Sequence, residues 1–173
     1  ILGCNKNVPQ LNLESRHLGL IPPQEQESLK RKILKIAKIL SDSIDIDKII
    51  QISKNSTKLK KLTQKKVKKP KTTIAIALDN SFNFYYNDNI DALKREGAKI
   101  KYFSPVHDSK VPRCDGMYIG GGFPEILGPS LEKNLTMRNV IKKFAENNMP
   151  IYAECGGLMY LTNSIEYDKK KYK

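Results

Sequence analysis

The chain has 173 residues, 39% of them apolar, and carries 31 Lys and Arg against 18 Asp and Glu, a formal net charge of +13. That length allows one sizeable domain plus an attached element. No signal-peptide pattern and no apolar run of about 20 residues occurs, which argues against secretion and membrane crossing and for a cytoplasmic protein.

Ile1 stands where a start methionine would, and Leu2-Gly3 continues an apolar opening, so the sequence reads as the interior of a longer protein. Leu11 to Pro23 is compact and irregular, closing on Pro22-Pro23. From Gln24 to Leu40, residues Leu29, Ile33, Ile36, Ala37 and Leu40 share one stripe at helical spacing, with lysines elsewhere. A second short helix is predicted over Asp45 to Ile52. Lys54 to Lys71 holds nine lysines and no acidic residue. Like charges oppose compact packing, so this stretch reads as a flexible connector. The divisions expected are therefore 1–23, 24–71 and 72–173.

The connector and its flanks also explain the charge. Fifteen of the 31 basic residues lie between Lys30 and Lys71, and four more are among the last five residues. Charge so placed belongs to a helix, a linker and a terminus rather than to one folded face. No aromatic platforms interleave with it, so specific nucleic-acid binding is not expected. A noncatalytic basic binding or assembly module stays as the competing class.

The third part opens with Thr72 to Leu78, whose Ile74, Ala75, Ile76, Ala77 and Leu78 suit a buried strand. Tyr86 to Glu96 reads as a helix, with Asn87 or Asp88 as cap and Gly97 as stop. Lys99 to Phe103 and Gly116 to Ile119 supply two more strands. Glu125 to Asn148 is broken helical structure, followed by a strand over Pro150 to Ala153 and a helix after Cys155. Recurring strand, helix and strand with short loops predict a parallel sheet with helices on both faces.

Chemistry concentrates at two turns. In Ala153-Glu154-Cys155-Gly156-Gly157 a strand meets a helix with a thiol at the tip. Cys155 is either a small buried sulfur near a strand end or a thiolate nucleophile beside a helix N-terminus. Gly156 lets the turn approach closely, and its N–H can donate to a developing oxyanion. Cys4 and Cys114 lack this setting and read as structural. The three cysteines are too few and irregularly spaced for a disulfide framework or a paired zinc site. The second turn, Gly120-Gly121-Gly122-Phe123-Pro124-Glu125, follows the third strand and is either a tight connection or a backbone cradle for a ligand. Both turns belong at the carboxyl edge of the sheet, where they are expected to share a crevice.

Between Asp79 and Asn89, aromatics and amides either wall that crevice or cap a helix, with Phe82, Phe84 and Tyr85 in the core. His107 reads as a loop histidine rather than a base. His17, beside Arg16, can meet an anion or make ordinary loop hydrogen bonds. The phosphate-loop pattern GxxxxGK[ST] does not occur, and no histidine follows Cys155.

These pieces together resemble a known family, the glutamine-dependent tetrapyrrole a,c-diamide synthases that act on cobyrinate or on nickel sirohydrochlorin. The resemblance runs from Leu11 through Leu161. Its markers are Glu14-Ser15-Arg16-His17-Leu18-Gly19-Leu20-Ile21-Pro22, the Asp79 to Asn89 segment, Phe103-Ser104-Pro105, Gly120 to Glu125, and Ala153 through Leu161. It implies a class I glutamine amidotransferase-like, flavodoxin-like α/β domain over 72–173, incomplete at its C-terminus, preceded by the end of an ATP-dependent amidoligase domain over 1–23.

By the same resemblance Cys155 is the glutaminase nucleophile, the Gly121, Gly122 and Gly156 backbones form the oxyanion hole, and Arg16 and His17 are contacts of the substrate domain. ATP and Mg²⁺ serve the complete parent and are not expected to bind this fragment strongly. Glutamine and a tetrapyrrole are the implied substrates, a missing ligase domain and glutaminase segment the implied partners, and a homodimer is compatible. Without a phosphate loop or a downstream histidine, the fragment alone is expected to be inactive. A relative that lost its base and became structural is the remaining alternative.

Overall fold

The computed structural model describes residues 1–5, 7–12, 28–60 and 68–173. The chain divides into two compact units, Ile1–Thr63 and Gln64–Lys173. In the first, a 3₁₀ turn at Pro9–Leu11 precedes helices α1 (Leu29–Ser43) and α2 (Ile46–Lys54). The Asp45 side chain caps α2 by accepting from the Lys48 N–H at 2.8 Å. The apolar stripe of α1 is present, yet no residue of either helix is buried among the described residues. Residues 61–67 of the expected connector, and Arg16 and His17, lie outside the described residues.

The second unit contains a sheet of four parallel strands, β1 (Thr72–Ala77), β3 (Ala98–Phe103), β4 (Gly116–Ile119) and β6 (Ile151–Ala153), in the order β3-β1-β4-β6. Strand β1 is a near-continuous apolar run because both of its faces are covered. On one face, Ala75, Ala77, Met117 and Ile119 pack with Leu131, Met137 and Ile141, from helices α4 (Gly128–Lys133) and α5 (Leu135–Glu146). On the other, Ile76 and Tyr118 pack with Ile90 and Leu93 of helix α3 (Asn87–Arg95). Alternation along the strand sends neighbouring residues into these two cores. This is an α/β fold with a parallel core sheet flanked by helices.

Chain order and spatial order reverse at β1: the chain leaves it for β3 on one side and returns to β4 on the other. The carboxyl ends of β1 and β4 therefore splay apart at a topological switch point, the usual crevice of such sheets.

Three features depart from sequence expectation. The N-cap of α3 is Tyr86, with no side-chain cap bond, so Asn87 and Asp88 lie inside the first turn rather than capping it. Phe82–Phe84 forms a short strand, β2, that pairs antiparallel with β5 (Gly121–Gly122). Finally, β7 (Ile165–Tyr167) and β8 (Lys170–Tyr172) form a hairpin whose turn residues, Asp168 and Lys169, have φ of 50° and 59°. That is the twist-matched two-residue turn, made here without the Asn-Gly or Asp-Gly pair that signals it.

Candidate active site

Cys155 sits just past β6, at the N-cap of the short helix α6 (Gly156–Tyr160), and its side chain is exposed. Its backbone has φ 49° and ψ −117°. Four non-glycine described residues have positive φ, and the other three have ordinary reasons. Asn148 follows the end of α5, where a left-handed Asn is common, and Asp168 and Lys169 make the hairpin turn. Cys155 is neither a helix terminator nor a hairpin residue, and its ψ lies far from the left-handed helical well. A backbone held in such a region costs about 1–3 kcal/mol and persists only where its surroundings enforce it.

The glycine loop does the enforcing. A β-carbon on Gly156 would lie 2.8 Å from both the Gly122 carbonyl oxygen and Pro124 Cδ, so only hydrogen fits where α6 begins. The Gly157 N–H donates to the Gly120 carbonyl at 2.9 Å and to that of Glu154 at 2.9 Å. The Gly156 N–H, by contrast, makes no backbone hydrogen bond among the described residues. The structure thus brings Cys155, Gly156, Gly121 and Gly122 to one edge of the sheet. Gly122 itself has φ 154°, and a β-carbon there would approach the Ser81 oxygen to 1.9 Å.

The Asp79–Asn89 segment underlies this edge and splits its aromatics between the two roles weighed from sequence. Phe82 is fully buried, against Tyr160 with ring centroids 5.3 Å apart. Phe84 and Tyr86 are exposed and form an edge-to-face pair beside the glycine loop. Asp79 organises the segment. One carboxylate oxygen accepts from the N–H groups of Ser81 at 2.8 Å and Phe82 at 3.2 Å. The other accepts from the Ser104 hydroxyl at 2.8 Å and the Val106 N–H at 2.9 Å.

The bonding roles of two residues escaped sequence reasoning. Tyr85 bridges β1 and the glycine loop through its hydroxyl. Glu154, next to the thiol, accepts from the Tyr118 hydroxyl and, at 3.2 Å, from the Tyr152 hydroxyl. Burial first, then this hydrogen bond and the carboxylate charge, pushes Tyr118 well above the ordinary phenol range. The hydrogen bond to Glu154 also raises Tyr152. Composition carries no signal for either, because each depends on which strand ends meet.

Other candidates fall away from the site. Cys4 is exposed in the first unit, and Cys114 is half-buried with its thiol pushed up by burial. His107 is exposed in the loop after β3, where its N–H donates to Ser104 Oγ at 2.9 Å. That loop is tied to the segment after β1, since the Val106 N–H donates to Asp79 at 2.9 Å. Among the described residues no group of three His, Cys, Asp or Glu side chains is placed to hold a metal ion. Cavities of about 490 and 520 Å³ open on the α3 face of β4 and β6 and beside the β7–β8 hairpin, and Cys155 lines neither.

A parallel sheet ending in a strained thiol turn against a triple-glycine loop narrows the family sharply. Residues 73–173 match the model of the CobB/CobQ-like glutamine amidotransferase domain. The chain belongs to this amidotransferase family. Similar curated proteins include one from Methanosphaera stadtmanae, 44% identical over 170 residues, which cover 96% of this chain and 38% of the relative. Another, from Methanococcus vannielii, is 48% identical over 172 residues, covering 95% and 38%. A third, from Listeria innocua, is 42% identical over 175 residues, covering 100% and 39%. All three bear the name cobyrinate a,c-diamide synthase. The chain thus spans under half the length of the curated relatives it matches, and its amidotransferase domain accounts for the second of its two units.

Proposed function

We propose that this amidotransferase domain releases ammonia from glutamine with Cys155 as nucleophile. The observation that carries this is the strained backbone of Cys155, exposed at the carboxyl edge of the sheet and seated on the glycine loop. The sulfur adds to the side-chain amide carbon of glutamine, and negative charge builds on the oxygen. The Gly156 N–H, with the backbones of Gly121 and Gly122, receives that charge. The carbon–nitrogen bond then breaks, the nitrogen takes up a proton and leaves as ammonia, and a γ-glutamyl thioester remains. Water adds to the thioester, the carbon–sulfur bond breaks, and glutamate and the thiol are restored. His107 precedes Cys155, in the loop after β3, and is not taken as the proton carrier. By the family resemblance the proton carrier is expected to be a histidine that follows Cys155 in the complete parent.

The relatives' names extend the proposal. Ammonia is used in ATP- and Mg²⁺-dependent amidation of the a- and c-acetate side chains of a tetrapyrrole, cobyrinate or nickel sirohydrochlorin. By the resemblance, the parent's upstream ligase domain would hold the nucleotide and the metal, with Arg16 and His17 as contacts of the substrate domain. Residues 1–23 then close the ligase domain, 24–71 link, and 72–173 form the amidotransferase portion. Three unpaired cysteines suit a reducing cytoplasm.

A glutamine-shaped diazoketone tests the nucleophile directly on this chain substituted for the 170 residues it matches in the Methanosphaera stadtmanae relative. Mass spectrometry should find the adduct on Cys155, with glutamine protecting it and glutamate protecting less. Equal labelling of Cys4, Cys114 and Cys155, unaffected by glutamine, would contradict the proposal.

A further inference from the structure

We infer that Tyr85 is a positioning residue for the oxyanion donors, fixing the glycine loop to the strand beside it. The inference rests on the glutaminase reading above. Register pairing between β1 and β4 ends at Ile76 and Tyr118. Just beyond that pair the strands splay, and the Tyr85 hydroxyl stands in the gap. It donates to the Ala77 carbonyl and accepts from the Gly120 N–H at 2.8 Å. One side-chain oxygen thus continues a ladder that the backbones no longer make.

The peptide units on either side of Gly120 are therefore tied. Its N–H is held by Tyr85, and its carbonyl is held by the Gly157 N–H, two residues past the thiol. Gly121 and Gly122 follow directly. They enter the β2 pairing from that peptide, so how it is pinned sets where the pair, and with it their N–H groups, sits against Gly156. The ring adds a steric stop, since a β-carbon on Gly120 would meet Tyr85 Cε1 at 2.3 Å. Tyr118 braces the ring edge-to-face, with centroids 5.2 Å apart. Burial holds the Tyr85 phenol well above the ordinary tyrosine range, so the hydroxyl keeps the proton it donates.

Loss of this hydroxyl should disturb donors that matter most when the oxyanion forms. The expected signature is a fall in kcat rather than a rise in KM. The test uses this chain substituted for the 170 residues it matches in the Methanosphaera stadtmanae relative. Tyr85→Phe keeps the ring and removes one atom. With glutamine, kcat should fall about tenfold or more while KM stays within about twofold, and the rate with added ammonia should not change. An unchanged glutamine kcat, or a rise in KM alone, would overturn the inference. So would equal losses with glutamine and ammonia, because the hydroxyl would then support the fold and not the donors. Cys155→Ala measured alongside separates the two claims: if that variant still uses glutamine, it is the nucleophile reading that has failed.

Discussion

At Gly122 the chain reaches φ 154° while the Ser81 carbonyl lies where a β-carbon would point, 1.9 Å away. Gly122→Ala must therefore both strain the backbone and push the 79–86 segment aside. We expect a loss of about 3 kcal/mol or more, seen as a lowered urea midpoint. A β-carbon at Gly121 would meet Phe84 Cβ at 3.2 Å and its carbonyl oxygen at 3.5 Å, which a shift of the short β2 strand by a few tenths of an ångström relieves. Gly121→Ala should cost about 1 kcal/mol or less by the same measurement. Equal losses at the two positions would mean that the contact with Ser81 is not what selects glycine. The sequence showed three glycines in a row but not their separate duties, because each duty is set by a neighbour from another loop: Tyr85, Phe84 or Ser81.

Among the elements, the regular ones were legible and the bridging ones were not. Strands β1, β3, β4 and β6 announce themselves as apolar runs between turn signals, and α3 stops just before Gly97, whose φ is 97°. The pair β2–β5 was invisible because two glycines carry no strand propensity and Phe82–Phe84 reads equally as core. Likewise, the cap of α3 was misjudged: Asn and Asp favour the N-cap in general, but the extended backbone stops one residue earlier, at Tyr86. Asp79 joins the loops after β1 and β3 through four hydrogen bonds, a role no local pattern encodes. Asp79→Ala should destabilise the chain by about 3 kcal/mol in urea unfolding, and Asp79→Asn by less, because one acceptor oxygen survives. A loss under about 0.5 kcal/mol for the alanine variant would show that the loops hold without it.

Over the whole molecule, buried phenols should govern alkaline stability. Burial pushes Tyr160 up to about 12, and Tyr85 and Tyr118 are raised further in the same direction. A phenol whose folded pKa exceeds its unfolded value stabilises the fold fully below the unfolded value, near 10. That contribution is lost as pH rises from there through the folded value. The urea midpoint should therefore show no tyrosine-linked fall between pH 7 and 9 and a decline above about pH 10, made shallower by Tyr160→Phe. An unaltered slope in that variant would remove Tyr160 from the set. Charge is the other global property: a net +13, of which +11 falls within residues 1–71, should give only weak, salt-sensitive association with nucleic acid. The central claim, that Cys155 releases ammonia for a partner chemistry, is tested most directly by nitrogen-donor exchange. With this chain in place of its matched stretch in the Methanosphaera stadtmanae relative, Cys155→Ala should abolish product formation from glutamine and leave the rate with added ammonia intact. Undiminished use of glutamine by that variant would contradict the claim.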